Sequence, residues 1–218
     1  EAENNLLLLG EKKEKLTKKY RKLAMSLRDE RQAIGKSLKI AVEKELTELN
    51  MKGAVLEIQI TSDEEKISPE GLDEVAFLLS ANPGEPVKPL DKVASGGEIS
   101  RVMLALKIAS QGALKTSTMF FDEIDTGIGG KTALAVGDKV YQAAESSQVI
   151  CITHLAQIAS LPGKHFRVEK QQSGGRTLAN VVNVEGDEKL KELARMLSGD
   201  DYSEASIQAA RSMLQSRV

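Results

Sequence analysis

Two adjacent carboxylates, Asp122 and Glu123, follow directly on the apolar run TMFF, Thr118 to Phe121. A strand over that run delivers both acids to its carboxyl end, where α/β sheets hold their ligands. There Asp122 can hold a hydrated magnesium ion and Glu123 can orient or deprotonate an attacking water. The plainer alternative is that Asp122 caps a loop and Glu123 is merely solvated. A second candidate is SGGE, Ser95 to Glu98, in which the serine and glutamate have the spacing of a capping box at a helix start. A cap does not explain Gly96 and Gly97, each of which gives up about 1 kcal/mol of helix propensity relative to alanine. Bare glycines let a large anion such as a phosphate approach the unpaired amides at the positive end of the helix dipole. Both a cap and an anion site satisfy these residues. Third, QVICITH runs an apolar segment into His154, which can hydrogen-bond a transferred phosphate or be an ordinary satisfied side chain. With one other histidine, His165, and one cysteine, Cys151, a zinc site is not supported.

These residues need a scaffold, and the chain reads as one. The first fifty residues lack proline and carry two lines of seven-residue spacing, Leu9, Leu16 and Leu23 with Tyr20, Leu27, Ile34 and Ala41. That is the seam of a coiled coil, with Glu30 interrupting one line, Gly10 and Gly35 weakening the helix, and a register change expected near Ile34. GAVLEIQITS (53–62) alternates as a strand and 73–81 reads as another, joined through Pro69 and Gly71. Pro83, Gly84, Pro86 and Pro89 make a stiff connector. Beyond it come a helix (97–111), a strand (118–122), a helix (132–145), a strand (148–153), a short helical piece, strands at 165–170 and 177–184, and helices at 188–197 and 203–217. Alternating helices and apolar strands predict an α/β domain, a mostly parallel sheet with helices on both sides. The early alternating strands suggest an added antiparallel part.

Composition removes several function classes. Of 218 residues 41% are hydrophobic, 3% are aromatic and none is tryptophan, which suits a globular core and argues against a platform of stacked bases. A net charge of −2 leaves no overall footprint of a DNA-binding domain, so any nucleic-acid contact would be local. Lys12, Lys13, Lys15, Lys18, Lys19, Arg21 and Lys22 read as the solvated faces of the arm. A single cysteine permits no internal disulfide and suits a reducing cytoplasm. The longest apolar run, Leu6 to Leu9, is far too short to span a bilayer, and the absence of an initial methionine suggests a fragment.

A phosphate-cradling P-loop needs G-x-x-x-x-G-K-[ST] between a strand and a helix. GKS at Gly35 to Ser37 has Glu30 in the place of the first glycine, and GKT at Gly130 to Thr132 has Asp125 there. Neither qualifies, so the chain alone is expected not to cradle a triphosphate.

A glycine-pair helix start, a strand ending in Asp-Glu and a strand ending in His, in that order, resemble the C-terminal half of an ABC-type ATPase head. An arm entering just before them narrows the resemblance to the SMC-like ATPases, since transporter nucleotide-binding domains have no such arm. LLSANPGEPVKPLDKVASGGEISRVMLALK, FFDEIDTGIGGKTA, ITHLAQIAS and LARMLSG look like the branch of that family that acts in bacterial DNA double-strand break repair, over a stretch from about Tyr20 to the end. The resemblance implies a division into a returning arm of an antiparallel coiled coil, 1–50, and the C-terminal lobe of the head, 51–218. It implies that Ser95, Gly96, Gly97 and Glu98 bind the γ-phosphate of ATP held by a partner head, that Asp122 serves magnesium, that Glu123 is the catalytic base and that His154 is the switch histidine. Thr126 to Gly130 fall where such heads carry a D-loop, with Gly129 where many members place an aspartate.

The implied partners are an N-terminal P-loop lobe of the same protein, a second head in a homodimer, and DNA, with no membrane, in the cytoplasm. The cofactors implied are ATP and Mg2+, and the fragment alone is expected to be an inactive ATPase. Rival readings are another SMC-like or ABC-transporter ATPase half, and a non-catalytic coiled-coil adaptor in which the glycines and acids are only caps.

Overall fold

A computed structural model describes residues 2–65, 67–93, 95–110, 118–161, 163–173 and 176–215. The chain divides into two compact units, one of residues 1–47 with 51–94, the other of 48–50 with 95–218.

The first unit is built on α1 (Ala2–Glu48), a helix of 47 residues. Beside it β1 (Val55–Ser62) pairs antiparallel with β2 (Asp73–Ser80), in register from Val55 opposite Ser80 to Ser62 opposite Asp73, and β2 carries the short β3 (Lys88–Pro89) on its other side. The alternation of β1 sorts its faces: Leu56 is fully buried with Ile58 and Ile60 half-buried, while Val55, Glu57 and Gln59 are exposed. The apolar face meets α1, where the Cβ-free Gly35 stands against Ile58.

Polar contacts pin this pairing. The Tyr20 hydroxyl donates to the Ser68 carbonyl and accepts from the Ser68 amide, each at 3.1 Å. Arg28 and Arg31, one turn apart on α1, both bond the Asp73 carboxylate, whose side chain is fully enclosed. Glu43 accepts from the Leu56 amide at 3.0 Å and Lys39 donates to the Leu56 carbonyl at 2.7 Å. That contact satisfies backbone groups on the outer edge of β1, which would otherwise be open to pairing with another chain.

The heptad lines are therefore only partly the face that α1 uses here. The side toward the sheet runs through Tyr20, Ala24, Leu27, Arg31, Gly35, Leu38, Val42 and Leu46, at steps of three or four, and so leaves the line that continues to Ile34. Ile34, placed on the seam by its spacing, is 64% exposed, because the helix turns its neighbours Arg31 and Gly35 to the hairpin. Leu9, Leu16 and Leu23 remain exposed as one line.

In the second unit α2 (Gly96–Ala109) precedes β4 (Thr118–Phe121), which pairs in parallel with β5 (Gln148–Cys151) across the intervening α3 (Gly130–Ala144). A parallel pair requires such a crossover. Next come α4 (Ala156–Ala159), the antiparallel hairpin β6 (His165–Ser173) and β7 (Arg176–Val184), α5 (Gly186–Ser198) and α6 (Glu204–Gln215). Parallel pairing among the described residues is that of β4 with β5. The core gathers Val102, Leu104 and Ala105 of α2, Ala133 and Val136 of α3 and Phe121 of β4. A second cluster packs Ala156 against Leu193, Ala194 and Ala210, with Leu190, Ile207 and Met213 around them. Phe120, aligned with Ile150 across the parallel pair, leaves one sheet face uncovered at 65% exposure. No described helix is long and apolar enough to cross a membrane.

Candidate functional site

Strand β4 stops at Phe121, and the chain turns immediately through Asp122 and Glu123, both exposed. Glu123 has φ 55, a left-handed conformation that costs a residue with a Cβ about 1 kcal/mol. Two reverse turns follow, closed by the Thr126 amide on the Glu123 carbonyl at 3.0 Å and the Ile128 amide on the Asp125 carbonyl at 3.3 Å.

Helix α2 holds this turn in place. The Ser100 hydroxyl donates to the Asp122 carbonyl at 2.8 Å. One nitrogen of the Arg101 guanidinium, Nη1, donates to the Ile124 carbonyl at 3.2 Å and to the Thr126 carbonyl at 3.1 Å. Arg101 is buried, and burial lowers its pKa against the opposing pull of Glu98.

At the start of α2, Ser95 is extended and its hydroxyl accepts from the Glu98 amide at 3.4 Å, which is the serine half of the capping box read from the sequence. The two glycines have a separate reason. A Cβ on Gly96 would stand 2.7 Å from Glu123 Oε2, and one on Gly97 would stand 2.8 Å from the Glu123 carbonyl oxygen and 3.1 Å from Thr126 Cβ. Only glycine lets the acid turn lie this close to the helix end. The first amides of a helix have no acceptor within it; the Ser95 hydroxyl takes that of Glu98, and those of Gly96 and Gly97 lie beside the Glu123 turn.

His154 follows β5 and is 70% exposed at its side chain. Its nearest acid is Asp125, which the sequence motifs did not single out. Asp125 is 2% exposed, and its Oδ2 accepts from the Thr153 hydroxyl and from the His154 amide at 2.8 Å, with His154 Nδ1 3.1 Å away. Its only sequence signal is its place three residues after Asp122, because the partners come from another strand. Cys151 at the end of β5 is pushed up to about 12, first by burial and then by the charges of Asp125 and Asp122. Near neutral pH it stays a protonated thiol and is not a ready nucleophile.

In the loop before α3, Gly127 and Gly130 have φ of 74 and 53, the region that favours glycine. Gly129 has φ −168 and is extended. It occupies the N-cap of α3, where an aspartate would fit without strain and with open space around its Cβ.

The geometry thus joins Ser95, Gly96, Gly97 and Glu98 to Asp122 and Glu123 in one place, and it joins His154 to the same loop through Asp125. The site lies in a lobe whose fold resembles an SMC head domain with coiled coil and joint from Pyrococcus yayanosii, at a TM-score of 0.53 and 21% identity, covering 88% of this chain and 36% of that one. The fold is that of part of an SMC-type head domain. No family model matches it. In sequence the chain is RecN-like. It is 44% identical to the DNA repair protein RecN of Treponema pallidum over 88% of its length, and 43% identical to that of Deinococcus radiodurans over 83%. It spans 34% and 33% of those two proteins, about a third of each.

Proposed function

We propose that the chain is part of an ATPase acting in DNA double-strand break repair and recombination, in which ATP held between two heads drives their engagement and hydrolysis drives their release. Residues 1–50 are the returning arm of an antiparallel coiled coil and 51–218 the C-terminal lobe of the head. The exposed line of Leu9, Leu16 and Leu23 suits packing against an outgoing helix, and the bare face of β4 and β5 suits cover by an N-terminal P-loop lobe of the same protein. The protein works in the cytoplasm, on DNA.

The observation that carries this reading is the seating of the Asp122 and Glu123 turn on the glycine start of α2. That arrangement fits ATP and Mg2+ chemically. The α2 end presents first-turn amides suited to phosphate oxygens, and Asp122 is an exposed oxygen donor of the kind magnesium takes through water. When bound, the ion would neutralise charge on the phosphates. Gly96 and Gly97 bind and orient a phosphate of nucleotide held by a second head, with Ser95 and Glu98 closing the helix turn. Glu123 holds and deprotonates the attacking water. His154 hydrogen-bonds the terminal phosphate. A non-catalytic adaptor would not need Asp122, Glu123 and His154 exposed around one loop.

Because the P-loop lies elsewhere, the chain alone is an inactive ATPase. The test is Ser95→Arg in the full-length protein, which places a long cation in the helix start. Nucleotide-dependent dimerisation, followed by light scattering, should disappear; dimerisation equal to the parent's would overturn the reading.

A further inference from the structure

The Asp125 carboxylate is nearly inaccessible, at 2% exposure, yet it stands against His154, whose side chain is 70% exposed. Its Oδ2 makes three contacts just after β5: it accepts from the Thr153 hydroxyl and from the His154 amide, and the His154 ring stands 3.1 Å away at Nδ1. The first two fix backbone and hydroxyl. The third fixes the ring. We infer that Asp125 is a positioning residue for His154, holding the ring proton on Nδ1 and presenting Nε2 to the phosphate-handling site.

A carboxylate removed from water needs hydrogen-bond donors around it, and when ionised it can only accept. The imidazole nitrogen facing it is therefore the one that carries hydrogen; the opposite tautomer would set a lone pair against Oδ2. Packing cannot supply this orientation, because the His154 side chain is 70% exposed. Asp125 itself is held from both sides: Arg101 bonds the carbonyls of Ile124 and Thr126, the residues flanking it. A rigid line thus runs from α2 through Arg101 and Asp125 to the histidine ring. The same loop carries Asp122 and Glu123, so the acids and the histidine are placed relative to one another by one segment. Nε2 then bears a lone pair in the neutral ring, and donates to a phosphoryl oxygen only from the doubly protonated ring, whose charge the Asp125 carboxylate balances.

This inference rests on the role of His154 proposed above, and the test separates the two. In the full-length protein, kcat and KM for ATP are measured for Asp125→Asn, His154→Ala and the double variant. Asparagine keeps the size of the residue but offers an amide that can favour the wrong tautomer, so kcat should fall by roughly 10-fold or more, the lower end of the scale for removing the partner that orients a metal-bound histidine. KM should stay within about threefold. The double variant should be no slower than His154→Ala alone, the non-additivity of residues acting as a unit. Unchanged kcat in Asp125→Asn, or losses that multiply, would overturn the inference. His154→Ala with parental turnover would instead remove the role of His154.

Should Asp125→Asn not fold, the ring is read directly in the parent. Long-range 1H–15N correlations of the full-length protein labelled at histidine are compared with those of His154→Gln to identify the ring. A protonated Nδ1 supports the inference, and a bare Nδ1 overturns it.

Discussion

The carboxylate of Glu123 lies over the bare α-carbon of Gly96, so close that a Cβ there would stand 2.7 Å from Oε2. Its neighbour Gly97 faces a different part of the same residue, the Glu123 carbonyl, with a built Cβ 2.8 Å from that oxygen. One glycine accommodates a side-chain end that can swing into solvent. The other accommodates backbone pinned by turns and by Arg101.

Alanine substitutions should therefore split. Gly96→Ala displaces a flexible carboxylate and gains up to about 1 kcal/mol of helix propensity, so its stability should equal or exceed the parent's. Gly97→Ala forces backbone to move and should cost about 1–3 kcal/mol. Urea denaturation of both variants measures the difference; equal stability of the two would show that the acid turn does not rest on the helix as described.

Arg101 should behave as a buried brace. Arg101→Met keeps much of the volume but leaves the carbonyls of Ile124 and Thr126 without their donor, a loss of about 2–3 kcal/mol for bonds made by a charged group. Arg101→Lys keeps the charge, but its ammonium ends one bond short of the position of Nη1, which makes both bonds, and should recover less than half of that. The check is the denaturation midpoint of each variant, and a lysine variant as stable as the parent would contradict the brace.

The Asp73 clamp makes the first unit acid-sensitive. Burial raises the Asp73 pKa, but the hydrogen bonds from Ser62, Arg31 and Arg28 outweigh it and hold the carboxyl below its ordinary value of 3.8. Stability from this group is thus fully present above about pH 4, the unfolded value, and is lost as pH falls through the lower folded value. Asp73→Asn should lose roughly 3 kcal/mol at pH 7, the scale for removing one member of an enclosed ion pair. It should also flatten the acid limb of stability against pH, followed by helix circular dichroism. An unchanged acid limb would show that Asp73 does not carry it.

Much of this was legible in sequence because it is local. Ser95 and Glu98 announce the start of α2, and the helix begins at Gly96. The apolar runs before Asp122 and before His154 announce the parallel pair. The heptads announce a helix through the first fifty residues, but periodicity cannot say which side another element will cover. Hence Ile34 is exposed where the seam would bury it, and Val42 and Leu46 are buried one step away. The glycine pair was read as open to an anion, and its close contact with Glu123 depends on a turn 26 residues downstream. Nothing in the sequence around Asp125, Arg28, Arg31 and Arg101 reveals their partners, which lie on other elements. The two-unit division groups β1 to β3 with the arm for the same reason: the Asp73 and Leu56 contacts that join them are tertiary.

In the proposed function Glu123 activates water at a nucleotide shared between two heads. The most direct measurement is Glu123→Gln in the full-length protein, with ATP turnover and dimer lifetime followed together. The left-handed turn and the contact with α2 need no charge, so glutamine should keep the site intact. Turnover should fall by about 100-fold or more, the scale of general-base catalysis, while the ATP-bound dimer persists. Parental turnover, or a dimer that dissociates as fast as the parent's, would contradict the account.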